Sequence, residues 1–104
     1  METLNFRFEN GTRSIASSPQ LVGVVSSGNL EVLIEPASLD RACEIEIKTA
    51  ANGFGATWQA VMADFHARWR LADTRISIND MGATPAVVSL RLDQAAETML
   101  GEAT

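Results

Sequence analysis

Cys43-Glu44-Ile45-Glu46-Ile47-Lys48-Thr49 is followed, after a break at Asn52-Gly53-Phe54-Gly55, by Ala56-Thr57-Trp58-Gln59-Ala60-Val61-Met62-Ala63-Asp64-Phe65-His66-Ala67-Arg68-Trp69-Arg70, and the fold turns on this stretch. In the first part Cys43, Ile45, Ile47 and Thr49 alternate with Glu44, Glu46 and Lys48. A period of two is that of a strand with one buried face. Beyond the break the period changes. Trp58, Val61, Met62, Phe65 and Trp69 fall on one apolar stripe at helical spacing, in a helix running to about Arg70. Asp64 and Arg68 form an i, i+4 pair on its solvent side. A sheet supplies the second layer that such a stripe needs for burial. Cys43, on the apolar face, reads as a small core residue and not a nucleophile. His66 flanks the stripe with no second His, Cys or acidic residue at metal-ligand spacing, and reads as a surface or boundary residue.

Upstream, Leu4, Phe6 and Phe8 alternate with Asn5 and Arg7, which marks a half-buried first strand. Glu9 to Gln20 is rich in Asn, Gly, Ser and Pro and reads as a loop. Leu21 to Ile34 then reads as two short apolar strands joined by a polar turn, ended by Pro36, which cannot donate to a ladder. Gly28 and Asn29 are residue types that tolerate positive φ, as tight hairpin turns require. Ser27 is thereby expected at a solvent-facing tip on a rigid support. Downstream, Leu71 to Thr74 reads as a turn, and Ile76 and Ile78 alternate with Arg75 and Ser77 as a strand. Asn79 to Pro85 reads as a loop, and Val88, Leu90 and Leu92 alternate with Val87, Ser89 and Arg91 as a last strand. Ala95 to Leu100 reads as a short terminal helix stopped by Gly101. The order β, β-hairpin, β, α, β, β, α predicts an α+β fold: a mostly antiparallel sheet with one long and one short helix, in one domain over residues 1–104.

Composition narrows the function classes. The net charge is −5, from 13 acidic and 8 basic residues, with Lys48 the one lysine and the arginines scattered. Nucleic-acid binding, which needs clustered Lys and Arg, is disfavoured. No apolar run approaches a membrane span, and Met1-Glu2-Thr3-Leu4-Asn5 lacks the basic-then-apolar order of a signal peptide, so a cytoplasmic location is expected. One cysteine excludes an internal disulfide. One histidine and one cysteine make a zinc site improbable, and no Walker or Rossmann glycine pattern is present. A hydrolytic serine needs a base, and nothing in the pattern sets His66 against Ser27. No catalytic residue is therefore expected. What remains is a scaffold that presents one hydroxyl, Ser27 or its neighbour Ser26, or an adaptor that binds partners through its sheet edge with no covalent group.

Gly23-Val24-Val25-Ser26-Ser27-Gly28-Asn29-Leu30-Glu31-Val32-Leu33, Trp58-Gln59-Ala60 and Asn79-Asp80-Met81-Gly82-Ala83-Thr84-Pro85 together make the chain resemble the acyl carrier subunits of malonate decarboxylase. The likeness runs from about Phe6 to about Glu97. It implies a fold unlike the four-helix bundle of fatty-acid carriers, whose Asp-Ser-Leu attachment motif is absent. It also implies a covalent 2'-(5''-phosphoribosyl)-3'-dephospho-CoA group on Ser27, by position before Gly28. Ser26 stands where the family usually has Gly, so it stays the rival attachment site, and Asn29 stands where the family usually has Asp. The resemblance further implies that the arm's thiol carries acetyl and malonyl thioesters between an acetyl-carrier:malonate transferase subunit and carboxylyase subunits. Malonyl and prosthetic-group transferases would load it. The carrier of citrate lyase uses the same group, but Gly82-Ala83-Thr84-Pro85 favours the malonate family. The 79–85 loop is read both as turn chemistry and as a docking surface for the arm or a partner.

Overall fold

A computed structural model describes residues 1–14, 25–27 and 29–100. The first half of the expected hairpin up to Val24, and Gly28 and Gly101, lie outside the described residues. The elements are β1 (Glu2–Phe8), β2 (Arg13–Ser14), β3 (Val25–Ser27), β4 (Leu30–Pro36), β5 (Cys43–Thr49), α1 (Gly55–Trp69), β6 (Leu71–Ala72), β7 (Thr74–Asp80) and α2 (Pro85–Leu100). A five-stranded sheet has the order β1-β5-β7-β4-β3, and β2 and β6 form a small parallel pair. The β1–β5, β4–β7 and β3–β4 pairings are antiparallel and β5–β7 is parallel. A parallel pair needs a long crossover, which α1 supplies between β5 and β7.

Register explains the core. Leu4, Ile47, Ile78 and Val32 lie in one row across the strands, and Phe6, Ile45, Ile76 and Ile34 in the next but one. Directly paired residues share a face of the sheet. Ile47, Val32, Ile76 and Ile34 are fully buried there. Onto this face α1 brings Trp58, Met62 and Phe65, the stripe expected from the sequence, with Val61 and Trp69 partly buried beside them. Both helices pack on this face and against each other, α1 over β1 and α2 over β4 and β3. Full burial of each large apolar side chain contributes about 1.5–3 kcal/mol. The opposite face is polar, with Arg7 and Arg75 both reaching Glu44, at 2.5 and 3.5 Å. Such half-exposed pairs are worth about 0–1 kcal/mol each.

The segment expected as a last strand is helical. α2 covers Pro85–Leu100 without interruption, so the two helices have similar lengths, 15 and 16 residues, instead of one long and one short. Val88 and Leu92 are buried, which both periods allow because they lie four apart; Leu90 is 50% exposed, which only the helical period allows. The buried set continues to Ala95 and Ala96. Pro85 at the first helical position and Thr84 before it, whose Oγ1 accepts the Val87 N–H at 3.3 Å, are start signals for this longer helix.

The loop after β1 is pinned by one close approach. The Gly11 N–H donates to the Arg41 carbonyl at 2.8 Å, and a Cβ on Gly11 would lie 2.2 Å from the Leu71 carbonyl oxygen. Only glycine allows that contact. The N–H groups of Thr12 and Arg13 then donate to the Arg70 carbonyl, which sets β2 beside β6. The Leu71–Thr74 stretch, expected as a plain turn, thus carries the short strand β6 before Asp73 turns the chain into β7.

Candidate functional site

Ser27 is the last residue of β3, which among the described residues is an edge strand paired with β4. It sits opposite Leu30, with Ser26 opposite Glu31 and Val25 opposite Val32. The pairing of Ser27 with Leu30 is the register of a tight hairpin, as the sequence predicts. The same row continues from Leu30 to Asp80 on β7, Thr49 on β5 and Glu2 on β1. The exposure expected for the Ser27 side chain lies outside the described residues.

Asp80 organises this end of the sheet. It is 3% exposed, and Thr49, beside it, is fully buried. The Thr49 hydroxyl donates to Asp80 Oδ2 at 2.8 Å, and the backbone N–H groups of Gly82 and Ala83 donate to Oδ1 at 3.2 and 2.8 Å. A carboxylate is acceptor-only, and three converging donors suit it. Burial of the group is tolerated because those bonds replace water. Asp80 thereby shapes the 81–84 loop that leads into α2. The Met81 N–H in turn donates to the Asn29 carbonyl at 2.8 Å, and Asn79 Nδ2 reaches Glu31 Oε1 at 3.3 Å. The two motifs singled out in the sequence, the serine hairpin and the 79–85 loop, are therefore joined at one end of the molecule. Strand β7 extends through Asp80, so the loop proper is shorter than expected.

A cavity of about 410 Å³ lies beside this junction, between the first turns of α1 and α2 and the ends of β5 and β7. Trp58, Val61, Ala83 and Val88 make its walls mostly apolar, and Thr49 and Asp80 lie at its polar side. Phe54, which is exposed, also lines it. Alternation had a signal for Asp80 that the turn reading hid. Thr74, Ile76, Ile78 and Asp80 are all buried on one face of β7.

The other reactive groups are remote or occupied. Cys43 is fully buried, as expected, and burial, with Glu44 adding, pushes its thiol up to about 12. His66 stacks on Phe8, ring centroids 5.1 Å apart. Phe8 lies six residue steps along β1 from the row that holds Ser27, roughly 20 Å at about 3.3 Å per residue. No hydroxyl–imidazole pair forms across that span. Burial lowers the His66 pKa, against a hydrogen bond to the backbone of Glu9 that raises it, and its Nδ1 is buried without a partner. Asp64 pairs with Arg68 as expected, and Asp93 on α2 joins them, accepting from Arg68 and from Trp69 Nε1 at 2.8 Å. No group of His, Cys, Asp or Glu among the described residues could hold a metal ion, and no described helix is long and apolar enough to cross a membrane.

Comparison with known proteins places this geometry in context. The profile of the malonate decarboxylase delta subunit (MdcD) family matches residues 17–99. A malonate decarboxylase acyl carrier protein of Stenotrophomonas maltophilia is 61% identical over 105 aligned residues, covering 100% of this chain and 99% of the relative. Proteins of the same name from Xanthomonas euvesicatoria and Burkholderia cepacia are 63% and 59% identical, covering 97% and 92% of this chain and 97% and 88% of their own lengths. Among solved structures, a chain in the crystal structure of a Pseudomonas malonate decarboxylase hetero-tetramer in complex with malonate aligns with a TM-score of 0.78 at 39% identity, covering 95% of this chain and 99% of that one.

Proposed function

Since this chain belongs to the malonate decarboxylase delta subunit family, we propose that it is the acyl carrier subunit of a malonate decarboxylase and that Ser27 is the attachment point of its arm. The observation that carries this reading is the match along the whole chain to relatives named as acyl carriers. The structure supports it in two ways. Ser27 ends β3, the edge strand of the sheet among the described residues, directly opposite Leu30. The one described histidine is far away, at the other end of the sheet. The chain itself contributes no acid or base, and its residues position a hydroxyl.

The group proposed for Ser27 is 2'-(5''-phosphoribosyl)-3'-dephospho-CoA, whose thiol supplies thioester chemistry when it is bound. The Met81 N–H bond to the Asn29 carbonyl anchors the start of β4 beside the attachment point, and the tether sets an effective acyl concentration of roughly millimolar at partner active sites. The partners proposed are an acetyl-carrier:malonate transferase subunit, carboxylyase subunits and the transferases that load the arm; the likeness to a chain within a hetero-tetramer supports a multi-subunit setting.

The test is the intact mass of the protein from its native host, with Ser27→Ala and Ser26→Ala variants alongside. The expected result is a nucleotide-sized adduct on the native protein and on Ser26→Ala, and none on Ser27→Ala, whose circular dichroism is unchanged. An adduct kept by Ser27→Ala but lost from Ser26→Ala moves the site by one residue. No adduct on any of them leaves an adaptor without a prosthetic group.

A further inference from the structure

Ser27 and the cavity beside Asp80 share one row of the sheet. Two inter-strand steps of about 4.8 Å separate the Ser27 and Asp80 backbones, roughly 10 Å in all. An arm that links a ribosyl phosphate, a nucleotide and a pantetheine in series is longer than that gap. The backbone between two lining residues, Asp80 and Gly82, is also bonded to the start of β4, through the Met81 N–H and the Asn29 carbonyl. On the carrier reading above, we propose that this cavity shelters the acetyl-thioester end of the arm and rejects the malonyl-thioester end.

Size and polarity argue for the first half. At about 410 Å³ the cavity falls within the range of small-molecule pockets, about 300–1,000 Å³. Trp58, Val61, Ala83 and Val88 offer apolar walls to a methyl group and a thioester sulfur. Exposed Phe54 adds apolar surface to the lining, where the pantetheine stem would lie.

Charge argues for the second half. Malonyl carries a carboxylate, and the group it would meet on the polar side is the buried carboxyl of Asp80. Asp80 accepts three hydrogen bonds through its two oxygens, the acceptor role of a carboxylate. Two like charges in a mostly apolar space repel strongly. The first turn of α2 offers little to offset this. Pro85 has no N–H, and the N–H groups of Val87 and Val88 are taken by Thr84. Decarboxylation, in which malonyl loses CO₂ and its α-carbon takes up a proton to give acetyl, would then also convert an exposed cargo into a sheltered one.

The experiment uses carrier whose arm on Ser27 is first verified by intact mass, loaded with ¹³C-acetyl or with malonyl. Cleavage of each thioester by hydroxylamine is timed against free S-acetyl-pantetheine and S-malonyl-pantetheine. The expected result is acetyl cleaved about tenfold more slowly than its free counterpart, equivalent to 1.4 kcal/mol of docking, and malonyl at its free rate. Nuclear Overhauser contacts should join the acetyl methyl to Trp58 and Ala83. Thr57→Trp, at an exposed α1 position on the cavity wall, should abolish the protection with circular dichroism unchanged. Acetyl cleaved at its free rate and lacking those contacts overturns the proposal, as does equal protection of malonyl. The contacts are read on the unmutated protein, so the result stands whether or not Thr57→Trp folds. Absence of the arm by mass is a different failure, that of the carrier reading itself.

Discussion

Asp80 accepts from one side chain and two backbone groups while almost wholly buried, and that makes it the residue whose loss should be felt furthest. Asp80→Ala leaves a buried Thr49 hydroxyl and two N–H groups without their acceptor. Hydrogen bonds to charged groups contribute about 1.5–3 kcal/mol, and orphaned buried donors cost about 1–3 kcal/mol. We predict a loss of at least about 3 kcal/mol, read from the urea midpoint at constant m-value. Asp73, only partly buried, is a second carboxylate that holds backbone N–H groups. Its Oδ1 accepts from the N–H groups of Arg41 and Leu39, both at 3.0 Å, and these bonds, the Arg41 one first, hold its pKa below the usual 3.8. A depressed folded pKa means that the charged form favours the native state. Its contribution is complete above 3.8 and vanishes as pH falls below that value through the lower folded one. Asp73→Asn should therefore melt below wild type at neutral pH, and the gap should close in acid. A gap that is constant with pH would mean that the carboxylate charge plays no part.

The element that separates the two periodicities is α2. Leu90 and Leu92 would share a face of a strand, but the structure exposes half of Leu90 and buries Leu92 completely. Leu92→Ala should cost about 2–5 kcal/mol, through lost transfer energy and the cavity left behind. Leu90→Ala should stay within about 0.5 kcal/mol, as exposed substitutions do. Urea unfolding of the pair checks this directly, and equal losses would restore the strand. Thr84, Pro85, Val88 and Leu92 were legible as a helix start and stripe. The shorter alternation overrode them because positions four apart satisfy both periods. In β5 and α1 only one period fitted, and both elements appear where the sequence places them.

At the scale of the molecule, one sheet face is covered by two helices and the other stays open and polar, an arrangement that mixed and antiparallel sheets permit. Stability therefore rests on a single interlayer cluster in which Phe65 is the largest fully buried side chain. Phe65→Ala should cost about 3–5 kcal/mol. Against a total of about 5–15 kcal/mol, that loss should lower the melting temperature by more than about 10 °C, read by calorimetry or circular dichroism. A variant that melts with the wild type would mean that α1 does not seat this ring on the sheet.

Periodicity and residue type alone determined the class of this protein: half-buried strands, an apolar helix stripe and a buried cysteine. Those properties are local, set by side-chain spacing along a strand or helix, and they survive without knowledge of neighbours. Which strands lie side by side is not local. That β7 enters between β5 and β4, parallel to one and antiparallel to the other, decides that Asp80 meets Thr49 and that the 81–84 loop meets Asn29. Asp80 reads as a turn former in sequence, because polar residues near Gly and Pro commonly are. Only the closed sheet, which removes water from that end and supplies three donors instead, makes it the buried anchor of the candidate site.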